Sequence, residues 1–526
     1  MKKLLFILII LMLILAACSS GSRTAERKID IKRVKVESGL LSGTTTTDGT
    51  VKIFLGIPYA APPVGDLRWK APQPPVSWDG VRRADSFCPA CMQVQAHSRP
   101  PWTEEFMSQD SLSEDCLFLN IWTPAVTTTD SLPVLVYIYG GGFSEGSGSV
   151  KVYNGEQLAR KGIVVLTINY RLGVLGFLAH PELTAESPAG ASGNYALLDQ
   201  IAALKWVQNN ITAFGGDPSR VTISGQSAGA ASVNMLIVSP LARGLFHRAI
   251  AESGSSLGRM TMQSLKDAEA AGVKFMESKG VKSITDLRAM SYEQLISVPE
   301  GEMPVRFFSS NIDGYFLTES PIEVLAKGLQ NDVPTITGMN ADEGSASPFY
   351  GKMPAKDYRD QVERMYGNKT KEFFALYPFR NDEEAGIVQK EAARDQARIG
   401  TWTFAKYRAG TAKTPMYIYY FDKAIPWPEH PEFGAFHTGE VPYVFNNLRM
   451  LDRPWETADS LLAEQISDYW VNFMATGNPN AGGLPQWAPF DSTKTITQRL
   501  GIGIGPIPIA GEKQTKFFID ILTPKQ

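Results

Sequence analysis

A G-x-S-x-G pentapeptide lies between a short apolar segment and a run of small residues. It occupies residues 225–229 with Ser227 at its centre; the apolar segment is residues 221–224, and the small residues extend from 228 to 236. This order predicts a strand, a tight turn and a helix, with the serine hydroxyl raised at the positive end of the helix dipole. Glycines on both sides of the serine leave space for the turn. The pattern therefore predicts that Ser227 is a nucleophile held on a strained turn.

Other apolar segments alternate with helical patterns around this motif. Residues 132–139 and 163–170 are almost continuously apolar, which is typical of strands covered on both faces in a parallel sheet. Residues 194–210 instead carry apolar side chains at helical spacing. This alternation predicts an α/β fold with a large, mostly parallel central sheet flanked by helices. Further strands are expected at residues 333–338 and 416–421, and helical insertions at residues 264–304, 355–412 and 458–476.

The composition is that of an ordinary globular protein, and it argues against one class of partner. Hydrophobic residues make up 44% of the 526-residue chain, and the formal net charge is −3. A nucleic-acid-binding protein needs a basic face, and this chain has no excess of positive charge. We therefore expect no nucleic-acid partner, while the composition leaves the oligomeric state open.

The first 18 residues have the three-part layout of a secretory signal. A positive start precedes an apolar run over residues 4–15, and small residues then lead to Cys18. The ending Leu-Ala-Ala-Cys resembles a bacterial lipobox, which is cleaved before the cysteine so that this residue carries the lipid. We expect export and anchoring through Cys18 to a bacterial cell-envelope membrane, on its periplasmic or extracellular face. A tether over residues 19–29 and a single catalytic domain over residues 30–526 would follow; the alternative is a plain signal peptide with an accidental cysteine.

Three consecutive glycines follow the predicted strand at residues 132–139. Gly140, Gly141 and Gly142 allow the backbone to approach a substrate without side chains in the way. A serine that attacks an ester creates a negatively charged oxygen, and preorganised N–H groups must point at that oxygen. Gly141 and Gly142 are the predicted donors, with the N–H of Ala228 as a third. The alternative is a plain flexible turn.

Two of the five histidines, His430 and His437, are candidates for the general base. In strand–turn–helix folds with this serine motif, the chain order is serine, acid, histidine, and both residues lie late in the chain. His430 lies between prolines in an expected surface loop, whereas the small residues around His437 allow its loop to fold over the serine. His437 is therefore the predicted base. A metal site at His437-x-x-Glu440 has no other ligand cluster to support it.

The acid that orients the histidine is expected just after a strand. Asp342 and Glu343 both follow the predicted strand at residues 333–338. Either carboxylate could hold the imidazole in the required tautomer. Spacing alone does not distinguish between the two residues.

A series of motifs along the chain resembles the type-B carboxylesterase/cholinesterase family. The resemblance extends from about Val36 to Phe518 and includes the motifs around Gly141, Ser227, Glu343 and His437. Further motifs are F-x-G-I-P-Y-A at residues 54–60, S-E-D-C-L-F-L-N at residues 113–120, F-G-G-D-P at residues 214–218 and G-N-P at residues 477–479.

This resemblance implies an α/β-hydrolase fold and a serine carboxylesterase that needs neither a metal nor an organic cofactor. It implies Glu343 as the acid of the triad and His437 as the base. It also implies a disulfide between Cys91 and Cys116, which export to an oxidising compartment permits and which leaves Cys88 unpaired. A lipase-like esterase for long acyl chains and a non-catalytic surface binding protein on the same fold are the alternative functions.

Three positions depart from the family's pattern. Most relatives carry Glu at the position of Gln226, and many carry Gln at the position of Glu252. We hypothesise that these two side chains share a buried hydrogen-bond network in which the charge has moved from one to the other. The family's choline-binding tryptophan has no convincing counterpart, because Trp102 has a different spacing from Cys116.

The walls of the substrate pocket are expected to come from three insertions, at residues 93–111, 303–308 and 345–365. Four aromatic residues in these insertions could form an apolar pocket: Phe307, Phe308, Phe349 and Tyr350. The alternative is that they are ordinary core aromatics.

Overall fold

Eleven strands form one sheet in the part of the chain that the computed structural model describes, which comprises residues 28–95, 97–254, 262–297 and 309–523. In chain order the strands are β1 (Thr44–Thr45), β2 (Lys52–Pro58), β3 (Phe118–Thr123), β4 (Leu132–Ile138), β5 (Val164–Ile168), β6 (Gly216–Gln226), β7 (Arg248–Glu252), β8 (Thr335–Asn340), β9 (Met416–Phe421), β10 (Ile496–Leu500) and β11 (Gly505–Pro508).

The strand order across the sheet is β11-β10-β9-β8-β7-β6-β4-β5-β3-β2-β1. All neighbours from β10 through to β5 pair in parallel. The pairs β3–β5, β2–β3, β1–β2 and β10–β11 at the two edges are antiparallel. This large, mostly parallel sheet confirms the predicted α/β class.

Helices cover both the middle and the edges of this sheet. Helix α5 packs on β6 and β7, α12 on β8 and β9, and α14 on β4 and β6. The helices are α1 (Glu156–Arg160), α2 (Gly173–Phe177), α3 (Pro181–Glu186), α4 (Tyr195–Asn210), α5 (Ala228–Val238), α6 (Leu265–Ser278), α7 (Ile284–Ala289), α8 (Tyr292–Ile296), α9 (Pro321–Ala326), α10 (Ala355–Tyr366), α11 (Thr370–Leu376), α12 (Asp382–Ala409), α13 (Val441–Val444), α14 (Thr457–Thr476) and α15 (Glu512–Leu522).

Short strands outside the main sheet form three small sheets. One joins Val34–Val36, Gly39–Ser42 and Val81–Arg83. Another pairs Ala90–Cys91 with Leu112–Ser113, and a third pairs Gln263–Ser264 with Asn311–Ile312.

The central strands form where the sequence is almost continuously apolar. Every residue of β5 and β9 is buried, as is every residue of β4 after its first. Helices on both faces exclude water from these strands, so neither face needs polar side chains. Strand β6 begins five residues before the predicted segment, because Gly216 already pairs with Leu132 of β4. The predicted helical region at residues 355–412 is three helices, with a break at Gly367.

The predicted disulfide between Cys91 and Cys116 is present. The two Cα atoms are 4.9 Å apart, and the bridge spans a sequence separation of 25 residues. Cys88 is a free, half-buried thiol, and its Sγ lies 3.7 Å from the carbonyl oxygen of Gly56. Cys88, three residues before Cys91, therefore does not take part in the bridge.

The expected signal segment, residues 1–18, and most of the expected tether, residues 19–29, lie outside the described residues. Within the residues that are described, no helix combines the length and the apolar character that crossing a bilayer would require.

A buried ion pair joins the segment that follows β5 to helix α4. The Arg171 guanidinium and the Asp199 carboxylate form two side-chain hydrogen bonds of 2.8 and 2.6 Å, and the two side chains are 3% and 0% exposed. The carboxylate also accepts a bond from the Arg171 backbone N–H, and the guanidinium donates to the carbonyl oxygen of Lys70. Because both side chains are buried, water cannot replace either partner when the other is removed.

Replacement of Asp199 by Asn should therefore destabilise the fold strongly, because it leaves the Arg171 charge buried without its counter-ion. We expect the free energy of unfolding in urea to fall by about 3–5 kcal/mol. Asp360→Asn is the matched control, since Asp360 pairs with Lys356 on an exposed helix face. Equal effects of the two substitutions would contradict a special role for the buried pair.

Candidate active site

Ser227 lies on the tight turn between β6 and α5. Its backbone has φ 58° and ψ −119°, a left-handed conformation that L-residues rarely adopt. A Cβ on Gly229 would lie 1.9 Å from the carbonyl oxygen of Ile138, and a Cβ on Gly225 would lie 2.4 Å from the carbonyl carbon of Gly229. Only glycine fits at either position, so the predicted strand–turn–helix geometry is present.

The glycine loop after β4 packs directly on this turn. A Cβ on Gly140 would lie 2.7 Å from the carbonyl oxygen of Gln226, and Gly141 and Gly142 have φ values of 103° and 62°. Within the described chain, the N–H groups of Gly141, Gly142 and Ala228 have no hydrogen-bond acceptor. These three donors are therefore available to an oxygen atom bound beside the serine.

Glu343, which follows β8, is the carboxylate that meets His437. Its Oε2 is hydrogen-bonded to Nδ1 of the imidazole. Its Oε1 accepts bonds from the Ser253 hydroxyl at 2.6 Å and the Asn340 backbone N–H at 2.7 Å. Burial tends to raise the pKa of Glu343, but the charge of His437 and these hydrogen bonds outweigh it and hold the pKa below its usual value. The carboxylate therefore stays ionised against the imidazole.

Asp342 has a different role, because it anchors the loop that carries the histidine. Its carboxylate accepts hydrogen bonds from Arg394 at 2.7 Å, the Tyr350 hydroxyl at 3.1 Å and the Ala435 backbone N–H at 3.0 Å. A Cβ on Gly434 would lie 2.3 Å from this carboxylate. Asp342 and Glu343 thus bind different partners, although their spacing in the sequence did not distinguish them.

A cavity of about 250 Å³ brings the predicted residues together. Ser227 and His437 both line it, as do Gly141 and Gly142. The other described lining residues are Gln93, Gln95, Arg99, Trp102, Phe106, Met107, Ser108, Leu112, Gly140, Ser144, Glu145, Gly146, Val150, Tyr153, Gln226 and Thr438.

Of the three insertions expected to form the walls, only residues 93–111 do so among the described residues. The expectation for residues 345–365 was wrong: Phe349 is 59% exposed, and the Tyr350 hydroxyl is directed to Asp342. Phe307 and Phe308 lie outside the described residues. The aromatic walls come instead from Tyr153 and from Trp102 and Phe106, which lie in the segment that the disulfide closes.

Trp102 is a site residue that the sequence analysis did not identify. Its indole N–H lies 3.2 Å from the carbonyl oxygen of His437 and 2.9 Å from the Thr438 hydroxyl, so it holds the histidine loop. Arg99 lies over its ring at 5.4 Å and forms an ion pair with Glu145. The sequence analysis compared this tryptophan only with a choline-binding position, and no local pattern marks a contact across 335 residues.

Two more carboxyl groups, Glu252 and Glu440, are fully buried behind the imidazole and Glu343. Burial raises the pKa of each to about 8. The Trp470 indole donates to Glu252 at 2.8 Å, and the Asn340 side-chain amide donates to Glu440. Both carboxyl groups are therefore mostly protonated at pH 7.

In the described chain, no cluster of His, Cys, Asp and Glu has the arrangement of a metal site.

In the described chain no hydrogen bond joins the side chains of Gln226 and Glu252, so a shared network between them stays a hypothesis. The two residues are register partners in β6 and β7, but in the described chain neither Gln226 Oε1 nor Glu252 Oε2 has a hydrogen-bond partner. The Gln226 amide instead contacts His437. Glu252 accepts a hydrogen bond from the indole N–H of Trp470 on α14.

Comparison with known proteins relates this chain to esterases. A model described as "Carboxylesterase family" matches residues 30–515. Fumonisin B1 esterase of Sphingopyxis macrogoltabida is 38% identical over 498 residues, covering 89% of this chain and 87% of its own length. Cocaine esterase of Homo sapiens is 35% identical over 483 residues, covering 85% and 83%. The solved structure of a PNB esterase has a TM-score of 0.75 at 33% identity and covers 93% of this chain and all of its own.

Replacement of Asp342 by Asn should loosen the histidine loop, because the amide cannot accept all the bonds that the carboxylate holds. We expect the free energy of unfolding to fall by about 2 kcal/mol and the Ala435 amide to exchange faster with deuterium. Glu432→Gln is the control, since Glu432 forms its ion pair with the partly exposed His430, away from Asp342 and its partners. Unchanged exchange at Ala435 in the Asp342 variant would show that the loop is held by other contacts.

Proposed function

This chain belongs to the carboxylesterase family, and from that membership we propose that Ser227, His437 and Glu343 carry out its hydrolysis of carboxylic esters. The chain is a serine carboxylic ester hydrolase. The observation that carries the triad assignment is the Glu343–His437 hydrogen bond, because His437 lines the same cavity as Ser227.

In the acylation step, Nε2 of His437 accepts the proton of the Ser227 hydroxyl while the oxygen attacks the ester carbonyl carbon. Glu343 accepts a hydrogen bond from Nδ1–H of His437 and stabilises the imidazolium that forms. The carbonyl oxygen becomes negatively charged and is held by the N–H groups of Gly141, Gly142 and Ala228. Each such donor contributes about 3 kcal/mol to transition-state stabilisation.

The second half of the cycle repeats this chemistry with water. His437 gives its proton to the leaving alcohol, and the acyl group remains on Ser227 as an ester. A water molecule then loses a proton to His437 and attacks the acyl carbonyl. Collapse of the second tetrahedral intermediate releases the acid and returns the proton to the Ser227 oxygen.

Two alternatives are a lipase-like preference for long acyl chains and a non-catalytic binding role. A cavity of about 250 Å³ favours short or medium acyl groups. A series of 4-nitrophenyl esters of increasing chain length measures this preference directly, and maximal kcat/KM on the longest chains would favour the lipase-like alternative. Covalent labelling by a fluorophosphonate probe distinguishes either enzyme from a binding protein.

Replacement of Ser227 by Ala should abolish ester hydrolysis and fluorophosphonate labelling with almost no change in Tm, because one small hydroxyl is removed from the cavity wall. Ser108→Ala, in the same cavity, is the matched control and should retain both activities. Hydrolysis that survives in the Ser227 variant would refute the assignment of the nucleophile.

We also propose that the chain is exported and anchored by lipid on Cys18, with residues 30–526 as one catalytic domain. The support is the layout of residues 1–18 and the match of the family model from residue 30. A lipid on the new N-terminus would hold the enzyme at the membrane while a polar tether separates it from the bilayer.

Replacement of Cys18 by Ala should release the enzyme from the membrane fraction, because the lipid attachment atom is lost. Metabolic labelling with a radioactive fatty acid should mark the wild-type chain and not this variant. Cys88→Ala is the control and should stay lipid-labelled. Equal labelling of the Cys18 variant would exclude the anchor.

A further inference from the structure

Gln226 lies against the catalytic imidazole. It is the last residue of β6 and is fully buried, and its side-chain amide nitrogen lies 3.3 Å from Nε2 and 3.5 Å from Nδ1 of His437. A group on the lone-pair axis of either ring nitrogen would be much farther from the other. The nearly equal distances therefore place the amide against the ring itself, so any charge at position 226 would act directly on the imidazole.

Few of the charged and titratable groups described around this ring carry a net charge that acts on it. Glu343 is ionised, whereas burial raises the pKa values of Glu252 and Glu440 to about 8, so that both are mostly protonated well below that pH. At the cavity wall, Arg99 and Glu145 neutralise each other in an ion pair. Burial also raises the pKa of Tyr153, which stays neutral. Well below pH 8, Glu343 is thus the one ionised carboxylate among the described groups packed behind His437.

We propose that Gln226 is a positioning residue whose neutral amide keeps His437 in its basic form to lower pH than a carboxylate at that position would. This inference rests on the proposed role of His437 as general base. A general base works only when unprotonated, so activity is lost as the pH falls and the imidazole takes up a proton.

The effect follows from the sign of the charges. A carboxylate within about 4 Å of the ring would favour imidazolium and compete with Glu343 for it, whereas an amide contributes no net charge. The amide nitrogen, with its partly positive hydrogens, lies against the ring and disfavours a positive charge there. Both terms extend the active pH range of the enzyme toward acid.

Replacement of Gln226 by Glu tests this on the whole enzyme with 4-nitrophenyl acetate. We expect the acidic limb of the kcat/KM profile to move up by about one pH unit. Gln226→Met removes the amide without adding charge and should give a smaller upward shift. Gln200→Glu is the matched control: it buries the same new carboxyl group on α4, where the recorded partner of Gln200 is Ser232. We expect its limb to stay in place even if its Tm falls.

An unmoved limb in Gln226→Glu, or an equal shift in Gln200→Glu, would overturn the inference. Neither result would affect the proposed triad as long as the wild-type enzyme shows an acidic limb and Ser227→Ala is inactive. Conversely, full activity of Ser227→Ala would refute the triad and remove the basis for the inference. A direct titration of the His437 Hε1 resonance in wild type and Gln226→Glu should show the same displacement as the kinetic limb.

Discussion

The strained turn at Ser227 is the constraint on which the site depends. Its left-handed backbone is maintained because β6 is held between β4 and β7, and because the Ser227 N–H donates to the carbonyl oxygen of Glu252 on β7 at 2.9 Å. Close contact between Gly229 and the end of β4 leaves no room for the turn to relax. A conformation that costs free energy locally thus persists because the surrounding sheet determines it.

The same packing brings Gly141, Gly142 and Ser227 to the wall of one cavity. Gly140 follows β4 and contacts the backbone of Gln226, so the glycine loop and the serine turn cannot move independently. Parallel neighbours end at the same edge of a sheet, and in an α/β sheet this is the edge where ligands bind. The acid follows β8 and the histidine loop follows β9, so both also reach this edge.

Burial gives the carboxyl groups of the site different protonation states. Glu343 is kept ionised by the imidazole and by donors from Ser253 and Asn340. Glu440 accepts a hydrogen bond from the side-chain amide of Asn340, and burial raises its pKa to about 8. A neutral Gln226 against the ring fits this pattern, because the site then contains one negative charge where the imidazolium needs it.

The amino-acid sequence was sufficient for features that arise from nearby residues. The buried strands, the serine turn and the glycine loop could be predicted because their backbone conformation depends on apolar runs and glycines within a few positions. The choice of Glu343 over Asp342 required resemblance to other chains, since both carboxylates follow the same strand. The roles of Trp102 and Gln226 and the exposure of Phe349 could not be predicted, because side-chain contacts between segments hundreds of residues apart depend on how the loops pack across the sheet.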